Sequence, residues 1–224
     1  MGIEWVKRFD LAWLEREPDL VEREAGALAL LGASDFAYPV PRVLSVEHDT
    51  VVMTRLPGQA HWDPPSIERL AEIAPALHAV VPPDGFRRYR RYYGDMGRPA
   101  WSSQPLLWER ALEVAAATEV DWAHACFIHR DHHAGNVLWV AGEVSGVIDF
   151  VEACVGPPEI DAARMRLNLA RHVGLDAAAA YARRPGIVVD PRWDIVDACD
   201  SAGSPRARNE WVEPFVAAAL AELG

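Results

Sequence analysis

Long apolar runs are missing from this chain. Apolar pieces such as residues 25–31 and 177–182 are helix-length and far below the roughly 20 residues that a membrane span requires. Glu4, Lys7, Arg8 and Asp10 leave no room for the apolar core of a signal peptide in the first ten residues. Cysteine is scarce. Cys126, Cys154 and Cys199 are an odd number with no C-x-x-C pair, which suits a reducing, cytoplasmic setting. Basic residues are outnumbered, and the net charge of −11 excludes a phosphate-backbone partner, which needs Lys/Arg-rich faces. No internal repeat, no low-complexity tract and no G-x-G-x-x-G occurs anywhere. The expected partners therefore include neither nucleic acid nor membrane.

What remains is a globular composition. Half of the 224 residues are hydrophobic, enough to bury one large domain or two small lobes. The acidic balance fits either plain solubility or a cleft that gathers a cationic small substrate. Residues 3–9 alternate with strand period, placing Ile3, Trp5, Lys7 and Phe9 on one face, predicted to look inward. Pro18-Asp19 opens a helix that stops at Gly32. Residues 44–47 and 50–54 read as strands joined at His48-Asp49, and Leu56-Pro57-Gly58 breaks the pattern. A Ser66-capped helix is predicted over 66–81, an irregular excursion over 82–104 and a helix over 106–117. Strands at 126–128, 137–140 and 144–148 follow, then helices over 159–172, 176–183 and 210–223. Strands first and helices last predict an α+β chain, with a sheet-based lobe over 1–58 and a helical lobe over 59–224.

The most informative stretch is Phe127-Ile128-His129-Arg130-Asp131-His132-His133-Ala134-Gly135-Asn136, followed by Val147-Ile148-Asp149-Phe150. Asp131 and Asn136 are five positions apart, the spacing of the kinase catalytic loop H-R-D-x-x-x-x-N, and an Asp-Phe element follows. Phosphoryl transfer from ATP needs one carboxylate to take a hydroxyl proton, and an amide and a carboxylate to hold Mg2+. Asp131 is the candidate base, although alone it would pass for a turn residue beside Ala134-Gly135. Asn136 and Asp149 are the candidate metal ligands, since magnesium takes oxygen donors. An acid ending an apolar strand must also be hydrated, paired or metal-bound. His124, Cys126, His129, His132 and His133 offer zinc-type donors, but crowded and without a distant second pair. His129 is expected to hydrogen-bond the Asp131 loop, and His78 to be a hydrogen-bonded core histidine. Asp161 suits the first turn of its helix electrostatically.

Lys7, on an inward strand face, needs a partner or a phosphate. Glu24 shares a helical stripe with Leu20, Leu28 and Leu31, whereas Glu22 lies off it and should be solvated. The two are natural partners of the Lys–Glu type that positions ATP phosphates; the alternative is a pair of snorkelling surface charges. Asp190, Asp194 and Asp197 follow i, i+4, i+7 spacing. They form either a solvated face or, with Glu152 and Glu159, the border of an acceptor cleft for a cationic substrate.

These residues together resemble the aminoglycoside phosphotransferase and choline kinase-like superfamily, a branch of the protein kinase-like fold. Trp5 to Phe9 is similar to its third N-lobe strand, Glu22 to Ala25 to its Glu-bearing helix, and residues 52–58 to its hinge. His129 to Asn136, Ile148 to Phe150, and Gly156 to Asp161 are similar to its C-lobe signatures. The resemblance implies a two-lobed fold with a truncated β-rich N-lobe and a larger, mainly helical C-lobe. It implies ATP held by Lys7, Glu24 and the hinge residues Met53, Thr54, Arg55 and Leu56. Asp131 would then be the base, Asn136 and Asp149 the Mg2+ ligands, and Asp161 the brace of the catalytic loop. Arg130 stands where the superfamily usually has Gly. The family has two strands and a phosphate-covering loop before the Lys strand, which here begins at about Ile3, so either the start lies upstream or part of the nucleotide lid is lost. That departure predicts a weak nucleotide site and an unpaired edge near Trp5 and Phe9, with aggregation or a homodimer as the outcome. Only nine residues separate Asp149 from Glu159, too few for a protein-kinase activation loop, so the acceptor is expected to be a small hydroxyl compound. The alternatives are a kinase-like binding protein without catalysis and a zinc protein.

Overall fold

The structure is a computed structural model that describes residues 4–92, 97–202 and 211–224. Ile3 and Glu210, placed above on a strand and a helix, lie outside the described residues. The first sheet contains β1 (Glu4–Arg8), β2 (Val43–Glu47) and β3 (Thr50–Thr54), antiparallel in the order β1-β3-β2. Lys7 stands opposite Val51, and β1 lies at the edge. Trp5 and Val6 are 55% and 56% exposed. The inward face expected of Trp5 is therefore not observed, because its side turns to an open cleft. Phe9, expected beside the bare edge, is buried instead.

A short helix that periodicity did not reveal, α1 (Leu11–Arg16), follows β1. Asp10 caps it by accepting from the Trp13 amide at 3.2 Å. α2 (Leu20–Ala33) buries Leu20, Glu24, Leu28 and Leu31 against the sheet and leaves Glu22 in water. After β4 (Gln59–Ala60), the single helix predicted from Ser66 is two: α3 (Ile67–Ala71) and α4 (Ile73–His78). Ser66 does cap the first, accepting from the Arg69 amide. The break has a covalent cause: Pro75 has no N–H to give the Ala71 carbonyl, and its ring crowds that oxygen.

α5 (Pro105–Ala117) leads to β5 (Cys126–Ile128), a 3-10 turn at Ala134–Asn136, β6 (Val137–Val140), β7 (Glu143–Val147) and β8 (Cys154–Gly156). β6 pairs with both β4 and β7, and β5 with β8, all antiparallel. α6 (Glu159–His172), α7 (Leu175–Ala182), α8 (Pro191–Ala202) and α9 (Val212–Leu223) complete the chain. One apolar cluster joins Leu28, Val51 and Met53 of the first sheet region to Leu77, Phe127, Val147 and Phe150. A second packs Trp108 of α5 and Ile160 of α6 with Trp193 and Phe215 from α8 and α9. The segments that carry the conspicuous polar residues run between these clusters. None of the helices among the described residues is long and apolar enough to cross a membrane, and the three cysteines are free thiols.

Candidate active site

Val137 of β6 stands opposite Val147 of β7. Asn136, at the start of one strand, therefore lies beside Ile148 and Asp149 at the end of the other, and the Ile148 amide donates to the Asn136 carbonyl at 3.0 Å. The Asn136 amide nitrogen donates to the Asp131 carbonyl at 3.0 Å, which leaves its side-chain oxygen as the group available to an oxygen-seeking cation. Asp149 has φ of 69°, a conformation a non-glycine residue adopts only under constraint. Its carboxylate reaches Lys7 Nζ at 2.6 Å, and the same ammonium donates to Glu24 at 2.7 Å. Burial works against the charge on Lys7, but Glu24 and Asp149 outweigh it and hold the ammonium above its ordinary pKa. The predicted Lys–Glu pair is thus present, and Asp149 is its third member.

These side chains stand on a cleft of about 530 Å³ whose walls include every residue expected at the nucleotide: Lys7, Glu24, Met53, Thr54, Arg55 and Leu56. Trp5, Pro41, Leu138 and Ile148 also line it and were not anticipated. For Leu138 a signal existed, since it shares a strand face with Asn136 two positions earlier. The 58–60 segment closes tightly here. A Cβ at Gly58, where φ is +107°, would fall 2.7 Å from the Trp139 carbonyl oxygen.

Asp131 follows an anchored segment. Asp161, fully buried in the first turn of α6, accepts from the backbone amides of His129 at 3.0 Å and Arg130 at 2.8 Å. His78 Nε2 approaches the same carboxylate at 3.1 Å. Burial raises the Asp161 pKa, but the His78 contact and the neighbouring histidines prevail and lower it to about 2. His129 does not bond its own loop as predicted; its Nε2 meets the Ile148 carbonyl at 3.0 Å, tying the Asp131 loop to the Asp149 segment. Asp131 itself has His133 Nε2 at 3.5 Å and Arg164 Nε at 3.5 Å. Burial pushes its pKa up, while His133, Arg164 and His129 outweigh burial and keep the carboxylate ionised. Trp62 stacks on His133 and His172 at 4.9 and 4.3 Å, and a Cβ at Gly135 would strike its ring at 2.7 Å.

Arg130 accounts for its own departure from glycine. It has φ of 70° and is buried, with its guanidinium 3.9 Å from the Tyr92 ring centre and 4.8 Å from that of Tyr89. It also reaches Asp200 at 3.1 Å and Asp197 at 3.6 Å. Arg164 holds Asp197 at 3.1 Å, and Arg166 pairs with Asp194. Neither reading of the acidic spacing in α8 survives. Asp194 and Asp197 are buried against arginines, Asp190 is paired with Arg192 at 2.5 Å, and Glu152 is taken by Arg87 at 3.0 Å. Among the described residues, no group of three or more His, Cys, Asp or Glu is placed to hold a metal ion.

The APH model, described as the phosphotransferase enzyme family, matches residues 5–199. No curated protein matches the chain. Among solved structures, the chain is similar to a thermostable mutant of the aminoglycoside phosphotransferase APH(4)-Ia, a ternary complex with AMP-PNP and hygromycin B. Identity there is 20%, over 90% of this chain and 82% of that one, with a TM-score of 0.64. The aminoglycoside phosphotransferase APH(3'')-Id from Streptomyces rimosus, in complex with ADP and streptomycin, is 17% identical over 90% and 86% of the two chains, TM-score 0.62. A macrolide 2'-phosphotransferase type I is 21% identical over 91% and 78%, TM-score 0.51. At these identities the likeness establishes the fold, which is α+β and protein kinase-like. The match over residues 5–199 goes further: the chain belongs to the phosphotransferase enzyme family.

Proposed function

We propose that this protein transfers the γ-phosphate of ATP to a hydroxyl group of a small molecule, with Mg2+ as cofactor. The observation that carries the reading is the chain Glu24–Lys7–Asp149, with contacts of 2.7 and 2.6 Å, at a cleft that also contains Met53 to Leu56. In this reading residues 1–58 supply the nucleotide side and residues 59–224 the catalytic loop and acceptor side. The apolar side chains of the cleft suit a purine, and the backbone at Arg55 and Leu56, beyond the end of β3, would offer it amide and carbonyl edges. AMP-PNP and ADP occupy the two similar aminoglycoside phosphotransferases named above. Lys7 would contact phosphate oxygens, with Glu24 keeping it charged and in place. Mg2+, held by Asn136 and Asp149, would neutralise charge on the phosphates. Asp131, ionised, would accept or orient the proton of the attacking hydroxyl. Asp161 would hold the backbone of that loop still, so that the carboxylate meets the hydroxyl in line.

Lys7 is the only lysine in the chain, which makes one test unusually clean. A lysine-directed reagent should modify Lys7, and Mg-ATP should protect it. ADP release on addition of a hydroxyl acceptor, lost in Asp131→Asn, would complete the test. Protection without any acceptor-dependent ADP release would point to a kinase-like binding protein instead.

A further inference from the structure

A second cleft, of about 600 Å³, lies beyond Tyr92 and contains Trp13, Arg16, Glu17, Arg87, Arg90, Arg91 and Glu152. In a chain of net charge −11, this cleft holds four arginines against two glutamates, an excess of two positive charges. Its elements come from both ends of the site. Arg16 and Glu17 end α1, Arg87 to Tyr92 form the segment after α4, and Glu152 follows Asp149 by three positions. Tyr92 is its link to the chemistry: the Arg164 guanidinium lies 5.7 Å from the Tyr92 ring centre, and Arg164 Nε is 3.5 Å from Asp131.

The pairing within the cleft is incomplete. Arg87 is satisfied by Glu152 at 3.0 Å. Arg90 shares Glu17 with Arg23, each at 2.5 Å. Among the described residues, Arg91 donates only to the backbone carbonyls of Ala115 and Thr118 at the end of α5. Arg16 is exposed and has no carboxylate partner among the described residues. Among the described residues, two guanidinium groups therefore stand in the cleft without a carboxylate, and the planar fork of arginine matches carboxylate and phosphate oxygens. A polycationic acceptor would meet like charges here, while the aspartates of α8 that might have welcomed it are buried.

We propose that this cleft is the acceptor site and that its acceptor is anionic: a small hydroxyl compound that also carries a carboxylate or a phosphate, gripped by Arg16 and Arg91. The inference rests on the phosphotransferase reading above and deepens it by naming the substrate class. The acceptor hydroxyl would lose its proton to Asp131 as its oxygen bonds the γ-phosphorus, and the β–γ bridging oxygen would leave with ADP.

The test uses gluconate and glucose 6-phosphate as the carboxylate and phosphate probes, glucose as the neutral control, and kanamycin and choline as cationic ones. Binding to the full chain is read by ligand-observed NMR, independently of turnover, and turnover by ADP release. An anionic probe should bind best, and Arg16→Glu, a change at an exposed side chain, should weaken it by about tenfold or more, the loss of one charge-assisted contact. Arg91→Gln should act in the same direction. Whichever of gluconate and glucose 6-phosphate binds more tightly identifies the anion. If an anionic probe is turned over, Arg16→Glu should raise its KM and leave the KM for ATP unchanged. Tighter binding of kanamycin or choline, or anion binding untouched by both substitutions, would overturn the acceptor assignment. Asp131-dependent turnover of a cationic probe would do so while sparing the phosphotransferase reading. Conversely, Arg16-dependent anion binding with no ADP release from any probe would leave the anion site standing and count against phosphoryl transfer.

Discussion

Two sets of charges flank the Asp131 loop, and they are built oppositely. In the cleft lined by Met53 to Leu56, Lys7 links Glu24 to an Asp149 whose side chain is 42% exposed, so one end of the chain of contacts is open to exchange with a ligand. Behind the Asp131 loop, Arg130, Arg164 and Arg166 meet Asp200, Asp197 and Asp194, with all of these side chains buried except Arg164, which is 12% exposed. Water and ions can compete for the first set but not for the second. A half-open carboxylate costs little to re-pair when a phosphate or a cation arrives. A closed Arg–Asp layer, by contrast, penalises removal of either partner heavily, because the survivor is left charged in a poor solvent. The layer is thus suited to holding backbone geometry, including the φ of 70° at Arg130. The open set is suited to binding.

If this contrast is right, substitutions on the two sides should separate activity from stability. The largest effect is expected where the sets meet. Asp131→Asn keeps size and removes the carboxylate, and should lower acceptor-dependent turnover by about 10²–10⁴, the range of general-base contributions. Thermal unfolding should be little changed. Near-normal turnover in the folded variant would remove Asp131 from the chemistry. Arg130→Ala should do the reverse. It strips the partner from Asp200 and one partner from Asp197, and should cost about 3–5 kcal/mol of stability, as unpaired buried charges do. Chemical denaturation would show it, and an unchanged midpoint would mean that the layer is dispensable.

Asp149→Ala tests the open side. Binding of ATP in the presence of Mg2+ should weaken by roughly 10–100-fold, the scale of losses around metal sites. Binding without Mg2+ should change less, because Lys7 is freed for phosphate. Calorimetric titration with and without the metal would distinguish the two. Equal losses in both would assign Asp149 to Lys7 alone.

Sequence and structure agree most where the chemistry is local. The Asp131 to Asn136 spacing lies on one loop, and the Asp149 strand end follows within one hairpin, so both were legible. Lys7 and Glu24 were legible too, because each carries its charge on an otherwise apolar face. That Lys7 is the only lysine was a further signal. The α8 aspartates misled for the opposite reason. Their i, i+4, i+7 spacing looks like a solvated stripe, and the arginines that bury them come from far away in the chain. Arg166 is 28 positions before Asp194, and Arg130 is 70 before Asp200. The short α1 offered no apolar stripe to read: none of its residues is fully buried, and its start rests on the Asp10 cap. Arg87 to Tyr92 looked like an irregular surface excursion. Its arginines become a site only when α1 and Glu152 are folded against them.

The smallest effect sharpens the contrast by pH. His132 is buried, with both ring nitrogens unpartnered. Burial lowers its pKa from 6.5 to about 3; Asp161 resists this, and the charges of His129, His78 and His133 add to it. Its folded pKa is thus depressed below the unfolded one, so folding excludes a proton that the unfolded chain accepts. The sign follows. This contribution is fully present above pH 6.5 and is lost as the pH falls toward 3. Between pH 6.5 and 5 the loss approaches about 1.4 kcal/mol per pH unit, the limit for one proton. His132→Leu fills a similar volume and cannot take up the proton. It should match the natural chain at pH 7 and gain on it steadily down to pH 5, visible as diverging unfolding midpoints. Replacing Asp149, which belongs to the open set, should leave that divergence unchanged. Parallel pH curves for His132→Leu and the natural chain would show that the buried histidine is protonated in the folded state and that the layer behind the loop is not closed.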